Sequence, residues 1–257
     1  MSDNQTELYG RSFYDQYAAG SSRSAAIILG HLYKLFRPRS VIDVGCGQGA
    51  WLSAAEACGA TALTGLDGEW VKEKDLLSKN IRFVPVNLSE SLPRLDQRYD
   101  LCMSLEVAEH LPEQRAAAFV DLLCQASDAI LFGAAIKHQG GTNHVNEQWP
   151  SYWIELFKSR GYACIDCIRG AVWDNAAVSW WYRQNTFLFV GPNHPCLDKD
   201  ALRALERPMV DVVHPMNYES TIRDYESVIL RPTFRFCLGC MRRWLNNKLR
   251  RLVGRAP

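Results

Sequence analysis

A doubly wound α/β fold with a parallel sheet is predicted from three observations. Short apolar runs alternate with helical stretches from residue 22 to residue 190. The first run, Val41-Ile42-Asp43-Val44, leads straight into alternating glycines at 45, 47 and 49. The next runs end in residues able to bind a ligand, such as Asp67 and Asn87, at the edge where open α/β sheets hold their ligands.

The elements follow in order. Residues 22–36 alternate small and apolar groups at helical spacing, and Arg37-Pro38-Arg39 ends that helix. Val41 to Val44 is the end of a buried strand, and a helix starts near Ala50 and runs to Cys58. Ala62–Leu66, Ile81–Val86 and Tyr99–Leu105 are the second to fourth strands. A helix opens near Pro112, a residue suited to a first helical position. Ala129–Ala135 is the fifth strand. Gln148–Arg160 is a helix closed by Gly161, with Asn146 as a candidate cap. Tyr162–Ile168 and Thr186–Val190 complete seven strands.

The 257 residues suit one α/β domain with additions. No apolar run approaches the roughly 20 residues of a membrane span, and the polar N-terminus is unlike a secretory signal. A cytoplasmic protein with nine reduced cysteines is expected. Cys164/Cys167 and Cys237/Cys240 have zinc-type spacing, but the first pair reads as part of a strand, whose residues three apart face opposite ways. Lysines and arginines number 29 against 28 acids, yet six of the bases and none of the acids lie after residue 240. The rest is net acidic, a poor match for nucleic acid.

Asp43, Gly45, Gly47 and Gly49 form a D-x-G-x-G-x-G string. Its glycines allow a sharp turn against which a ligand can lie, next to a helix amide end. The string resembles the first motif of class I S-adenosylmethionine (SAM)-dependent methyltransferases. That resemblance implies a Rossmann-like, doubly wound, seven-stranded and mostly parallel sheet with helices on both faces and an antiparallel final strand. It implies an N-terminal lid and helix over 1–38, a methyltransferase domain over 39–192 and a C-terminal extension over 193–257. It also implies that Gly45, Gly47 and Gly49 face the methionine part of SAM, with Asp43 ordering the loop or reaching the ammonium. Asp67, 24 residues on, would accept the ribose hydroxyls. Asn87 stands where the family often has an acid toward the adenine amino group, or it caps a turn, and Leu88 would pack on the adenine. Leu105 ends the fourth strand beside the cofactor.

Leu105-Glu106-Val107-Ala108-Glu109-His110-Leu111-Pro112 follows that strand. Glu106, Glu109 and His110 can converge on one face and suit a hard or borderline divalent cation such as Mg²⁺. The Glu-x-x-Glu-His pattern resembles ubiquinone-type O-methyltransferases and small-RNA 2′-O-methyltransferases, where it implies a metal holding the acceptor oxygens. Without a metal, Glu109 and His110 shape the pocket or cap a helix, and His110 is the candidate general base. His144, in the glycine-led loop 140–150, is a second base candidate or a further ligand. Asn143, Asn146 and Glu147 are candidate partners for acceptor hydroxyls.

Trp149, Tyr152 and Trp153 are either core or an acceptor platform. Trp173, Trp180, Trp181 and Tyr182, mixed with Asp174, Asn175, Arg183, Gln184 and Asn185, read as a sugar-binding surface or as a buried brace. In the tail, Phe236, Trp244, Leu245, Leu249, Leu252 and Val253 interleave with bases. Residues 236–255 are a candidate contact with a membrane surface or a partner, or a terminal helix packed on its own domain. The expected reaction is O-methylation of a sugar or glycan-related small molecule. The rivals are a quinone or lipid O-methyltransferase at the inner membrane face and a non-catalytic SAM-binding subunit.

Overall fold

The computed structural model describes residues 11–194, 210–230 and 232–252. Seven strands form one sheet: β1 (Ser40–Val44), β2 (Ala62–Asp67), β3 (Ile81–Pro85), β4 (Leu101–Leu105), β5 (Ala129–Gly133), β6 (Ala163–Ile165) and β7 (Phe187–Val190). Their order is β3-β2-β1-β4-β5-β7-β6. β1 to β5 are parallel, while β7 runs antiparallel to β5 and to β6. This is the Rossmann-like, mostly parallel sheet expected, including its antiparallel final strand. The strand order reverses between β1 and β4, so a crevice opens there beyond the strands' carboxyl ends.

Side chains alternate along each strand and build two cores. Val41, Leu101, Met103 and Leu131 pack with Ile28, Leu29 and Leu32 of the Arg11–Leu35 helix and with Leu52 of the Ala50–Ala57 helix. Ile42, Cys102, Ile130 and Phe132 pack on the other face with Phe119, Val120 and Leu123, and with Trp153 and Phe157. The first three belong to the Ala116–Ala126 helix, which buries positions 116, 119, 120, 123 and 126, the spacing of one helical stripe. The other two belong to the Pro150–Lys158 helix. With helices on both faces, the central strands are buried throughout and read as continuous apolar runs.

The helix expected near Pro112 starts at Ala116, behind a 3-10 turn over Glu113–Arg115, and the fifth strand stops at Gly133 rather than Ala135. Two further boundaries differ for reasons the side chains show. The helix expected from Gln148 starts at Pro150, and Asn146 does not cap it. Instead Ser151 donates its backbone N–H and its hydroxyl to Asp211, at 2.9 and 2.7 Å, from 60 residues away. The strand expected to reach Ile168 stops at Ile165. There Asp166 turns the chain by gripping Arg169 through two hydrogen bonds of 3.0 and 2.7 Å, both side chains being 4% exposed. Arg169 also donates to the Val210 carbonyl at 2.9 Å and lies 4.2 Å over the Phe187 ring. Removing one partner strands a buried charge, so Asp166→Ala should lower unfolding stability by about 3–5 kcal/mol in urea titrations. The Asp166→Ala/Arg169→Met pair should recover much of that loss. Cys164 and Cys167 pack into the two opposite cores, so the sheet separates them.

The chain divides into two units, residues 1–214 and 215–257. The Arg11–Leu35 helix packs into the first. The second contains the Pro215–Leu230 and Phe234–Leu252 helices. Among the described residues no helix is long and apolar enough to cross a membrane.

Candidate active site

The glycine turn is built as its sequence demands. Gly45, Gly47 and Gly49 have φ of 87°, 51° and 79°, in the left-handed region that side chains disfavour. A Cβ on Gly45 would stand 2.4 Å from a Val107 methyl, and one on Gly49 2.5 Å from Ile81 Cδ1. The Gly45 and Cys46 N–H groups donate to the Leu66 carbonyl at 2.8 and 3.0 Å. Asp67 clasps the turn: Oδ2 accepts the Gly47 N–H and Oδ1 the Gly68 N–H, each at 2.7 Å. The Trp70 side chain bonds the same carboxylate, which with about four acceptor sites still has room for a ligand hydroxyl.

A cleft of about 400 Å³ lies over these strand ends, a size within the ligand-pocket range of roughly 300–1,000 Å³. The sheet order sets its layout. Gly45 and Gly47 after β1, Asp67 of β2 and Asn87 and Leu88 after β3 line it, as do Leu105, Glu106, Glu109 and His110 at β4 and His144 beyond β5. Asp43 and Gly49 are not on its wall. Gly49 caps the following helix, and Asp43 is 2% exposed near Asp67. Burial, reinforced by the Asp67 charge, pushes the Asp43 carboxyl up to about 8, so it holds its proton at neutral pH. Burial raises Asp67 as well, opposed by the Gly47 and Gly68 amides and by the hydrogen bond from Trp70. Asn87 lines the cleft and caps a turn at once, its Oδ1 accepting the Ser89 N–H at 3.1 Å.

The group at β4 forms in a different combination from the one expected. Glu106 adopts a left-handed φ of 58°, and its carboxylate accepts from Asn185 at 3.0 Å and from Gln139 at 3.2 Å. Gln184 continues this network to Gln139 and accepts the His214 N–H at 2.7 Å. Ligand atoms of Glu109, His110 and His144 instead lie within 4.8 Å of one another. His144 thus takes the place expected of Glu106 beside Glu109 and His110. Glu109 is fully buried, and its carboxyl meets that of Glu106 and the backbone of Ala135 too loosely to satisfy either oxygen. Burial and the neighbouring Glu106 hold its pKa well above the carboxylate range.

Both imidazoles are oriented through Nδ1. His110 Nδ1 donates to the Asn143 carbonyl at 3.3 Å, since a carbonyl can only accept; its lone pair is therefore on Nε2. His144 Nδ1 donates to Glu147 Oε1 at 2.9 Å. Glu147 also accepts the His138 and Gly140 N–H groups at 2.9 and 2.8 Å, so it fixes this loop. The rings meet edge to face, 4.9 Å apart. Burial, aided by His144, pushes His110 down to about 4, which keeps it neutral near pH 7. The Val145 and Asn146 N–H groups both bond the Glu109 carbonyl, which ties the loop to the 108–110 turn.

Of the aromatic residues, Trp180, Trp181 and Tyr182 line the cleft. The Tyr182 hydroxyl is paired with Ser21 at 3.1 Å. Trp173 turns to His214, at 4.7 Å, and Trp153 packs on Phe132 in the core, at 5.3 Å, so neither is a platform here. Gln184 and Asn185 serve the Glu106 network rather than an open surface. Sequence reasoning missed Gln139, which holds Glu106, and Ser21 and Trp70 in the cleft wall. Only Gln139 had a signal, its place in the polar loop after β5.

The chain matches a methyltransferase-domain family over residues 18–186 and belongs to it. It is a class I SAM-dependent methyltransferase. In fold it is similar to magnesium protoporphyrin IX methyltransferase from Synechocystis PCC 6803, solved with S-adenosylhomocysteine. The TM-score is 0.56 at 15% identity over 74% of this chain and 100% of that one. An O-methyltransferase family protein from Burkholderia thailandensis gives 0.51 at 14% identity, over 70% of this chain and 58% of that one. The plantazolicin methyltransferase BpumL gives 0.50 at 18% identity, over 70% and 88%. No curated protein sequence matches the chain.

Proposed function

We propose that this methyltransferase moves the SAM methyl group to a hydroxyl oxygen of a small polyhydroxylated acceptor, a sugar or a glycan-related metabolite. The observation that carries this reading is the convergence of Glu109, His110 and His144 in the cleft that the glycine turn and Asp67 also line. In this reading Asp67 accepts the ribose hydroxyls, Asn87 and Leu88 meet the adenine, and Gly45 and Gly47 lie against the methionine portion. Leu105 closes the cofactor side, and Trp180 and Trp181 offer flat faces to a sugar ring.

Methyl transfer needs alignment of three atoms and a dry site. The acceptor oxygen attacks the methyl carbon, the carbon–sulfur bond breaks, and the sulfonium leaves as a neutral thioether. The hydroxyl proton goes to His110 Nε2, the lone pair that its Nδ1 contact leaves for acceptance. Alternatively, Glu109 and two imidazoles held through Nδ1 form a donor set that fits a divalent cation, in which case the His110 Nε2 lone pair would hold the ion instead of taking the proton. Such an ion would lower the hydroxyl's pKa and orient its oxygen. Chelation should then cut turnover at least about tenfold, with Mg²⁺, Mn²⁺ or Zn²⁺ restoring it. Undiminished turnover in chelator assigns activation to His110 alone.

Asp43 adds a linkage prediction. Its folded pKa of about 8 lies above the ordinary value, so the ligand-free fold holds a proton that the unfolded chain would lose. Bringing the cationic cofactor near should expel it. Titration calorimetry at pH 7 in buffers of different ionisation heat should show proton release, and Asp43→Asn should abolish it. The acceptor is tested by incubating the enzyme and SAM with nucleotide sugars, free glycans and phenols, and locating new O-methyl groups by NMR. Turnover on phenols alone would overturn the sugar assignment.

A further inference from the structure

The Phe234–Leu252 helix leaves a large apolar stripe in water. Phe234, Leu238, Met241 and Leu245 stand four, three and four residues apart on one helical face, and are 79%, 44%, 58% and 51% exposed. Trp244, beside them, is 61% exposed. Leaving such side chains in water forgoes about 1.5–3 kcal/mol each, so an occupant is expected. Around the polar arc stand Arg235, Arg242 and Arg243. The Lys248 ammonium lies 4.9 Å over the Trp244 ring, at the border of the stripe. Residues 231–257 contain eight lysines and arginines and no acid.

We infer that this helix lies in the plane of an anionic lipid surface, with its stripe among the acyl chains and its bases among the headgroups. A protein groove would cover the stripe but leave the excess of bases over acids in water without a partner of opposite charge. A bilayer offers a diffuse negative field, worth about 1 kcal/mol per nearby base, around an apolar interior. The helix is too polar to cross. Part of the expected contact segment, residues 253–255, lies outside the described residues. This inference is independent of the methyl acceptor and goes beyond the catalytic reading.

The test is co-sedimentation of the full chain with phosphatidylcholine vesicles, with and without phosphatidylglycerol. Binding is expected only where phosphatidylglycerol is present, weakening as salt rises. Leu238→Glu/Leu245→Glu should abolish it and Arg242→Glu/Arg243→Glu should weaken it, both leaving SAM binding at the wild-type level. Failure to bind anionic vesicles overturns the inference, as does binding that survives both double substitutions. A dimer in light scattering that Leu238→Glu/Leu245→Glu dissociates overturns it in favour of a second copy of the chain.

Discussion

Asp67→Ala is expected to weaken cofactor binding by about 100-fold or more in titration calorimetry with S-adenosylhomocysteine. The effect should be large because one carboxylate does two things. It holds the Gly47 and Gly68 amides at 2.7 Å, which shapes the glycine turn, and in the proposed reading its remaining acceptor capacity meets the ribose hydroxyls. Hydrogen bonds to a charged group contribute about 1.5–3 kcal/mol each, and two of them account for roughly two or more decades of affinity. Asp67→Asn should fall between, since an amide keeps one acceptor oxygen. Wild-type affinity in the alanine variant would remove Asp67 from the cofactor site.

His110→Ala is the second large effect. Turnover should drop about 10²–10⁴-fold while affinity for S-adenosylhomocysteine stays near wild type, the signature of lost proton transfer. The wild-type activity should persist to low pH, because His110 stays neutral until about pH 4. Sign and window follow from burial: an ordinary imidazole would lose its lone pair below about pH 6.5, whereas this one retains it. Glu109→Gln should also lower turnover. If His110→Ala turns over at the wild-type rate, the cluster at β4 is not the catalytic centre.

Much of the cleft wall along β1 to β3 was legible in the sequence, because it is local. Gly45, Gly47, Asp67 and Leu88 reach that wall because of where strands end and turns begin, and strands end where apolar alternation stops. The wall at β4 and beyond was less legible, because distant contacts decide it. Glu106 and Glu109 look equivalent in Glu-x-x-Glu-His, yet Asn185, 79 residues away, holds the first and leaves the second to the histidines. Glu147 looked available for substrate and instead clamps His144 and two backbone amides. The early end of β6 depends on a buried Asp166–Arg169 pair that apolar patterning cannot show. Asp43 belongs to the recognisable string but lies off the cleft wall, where its effect is electrostatic.

SAM is expected to lie along the ends of β1 to β3 with its sulfur toward Glu109, His110 and His144. A crystal structure with S-adenosylhomocysteine tests it directly. The predicted result places the ribose hydroxyls on Asp67, the adenine between Asn87 and Leu88, and the sulfur facing the Glu109–His110–His144 cluster. A nucleoside bound away from Asp67, or a sulfur directed away from that cluster, would contradict it.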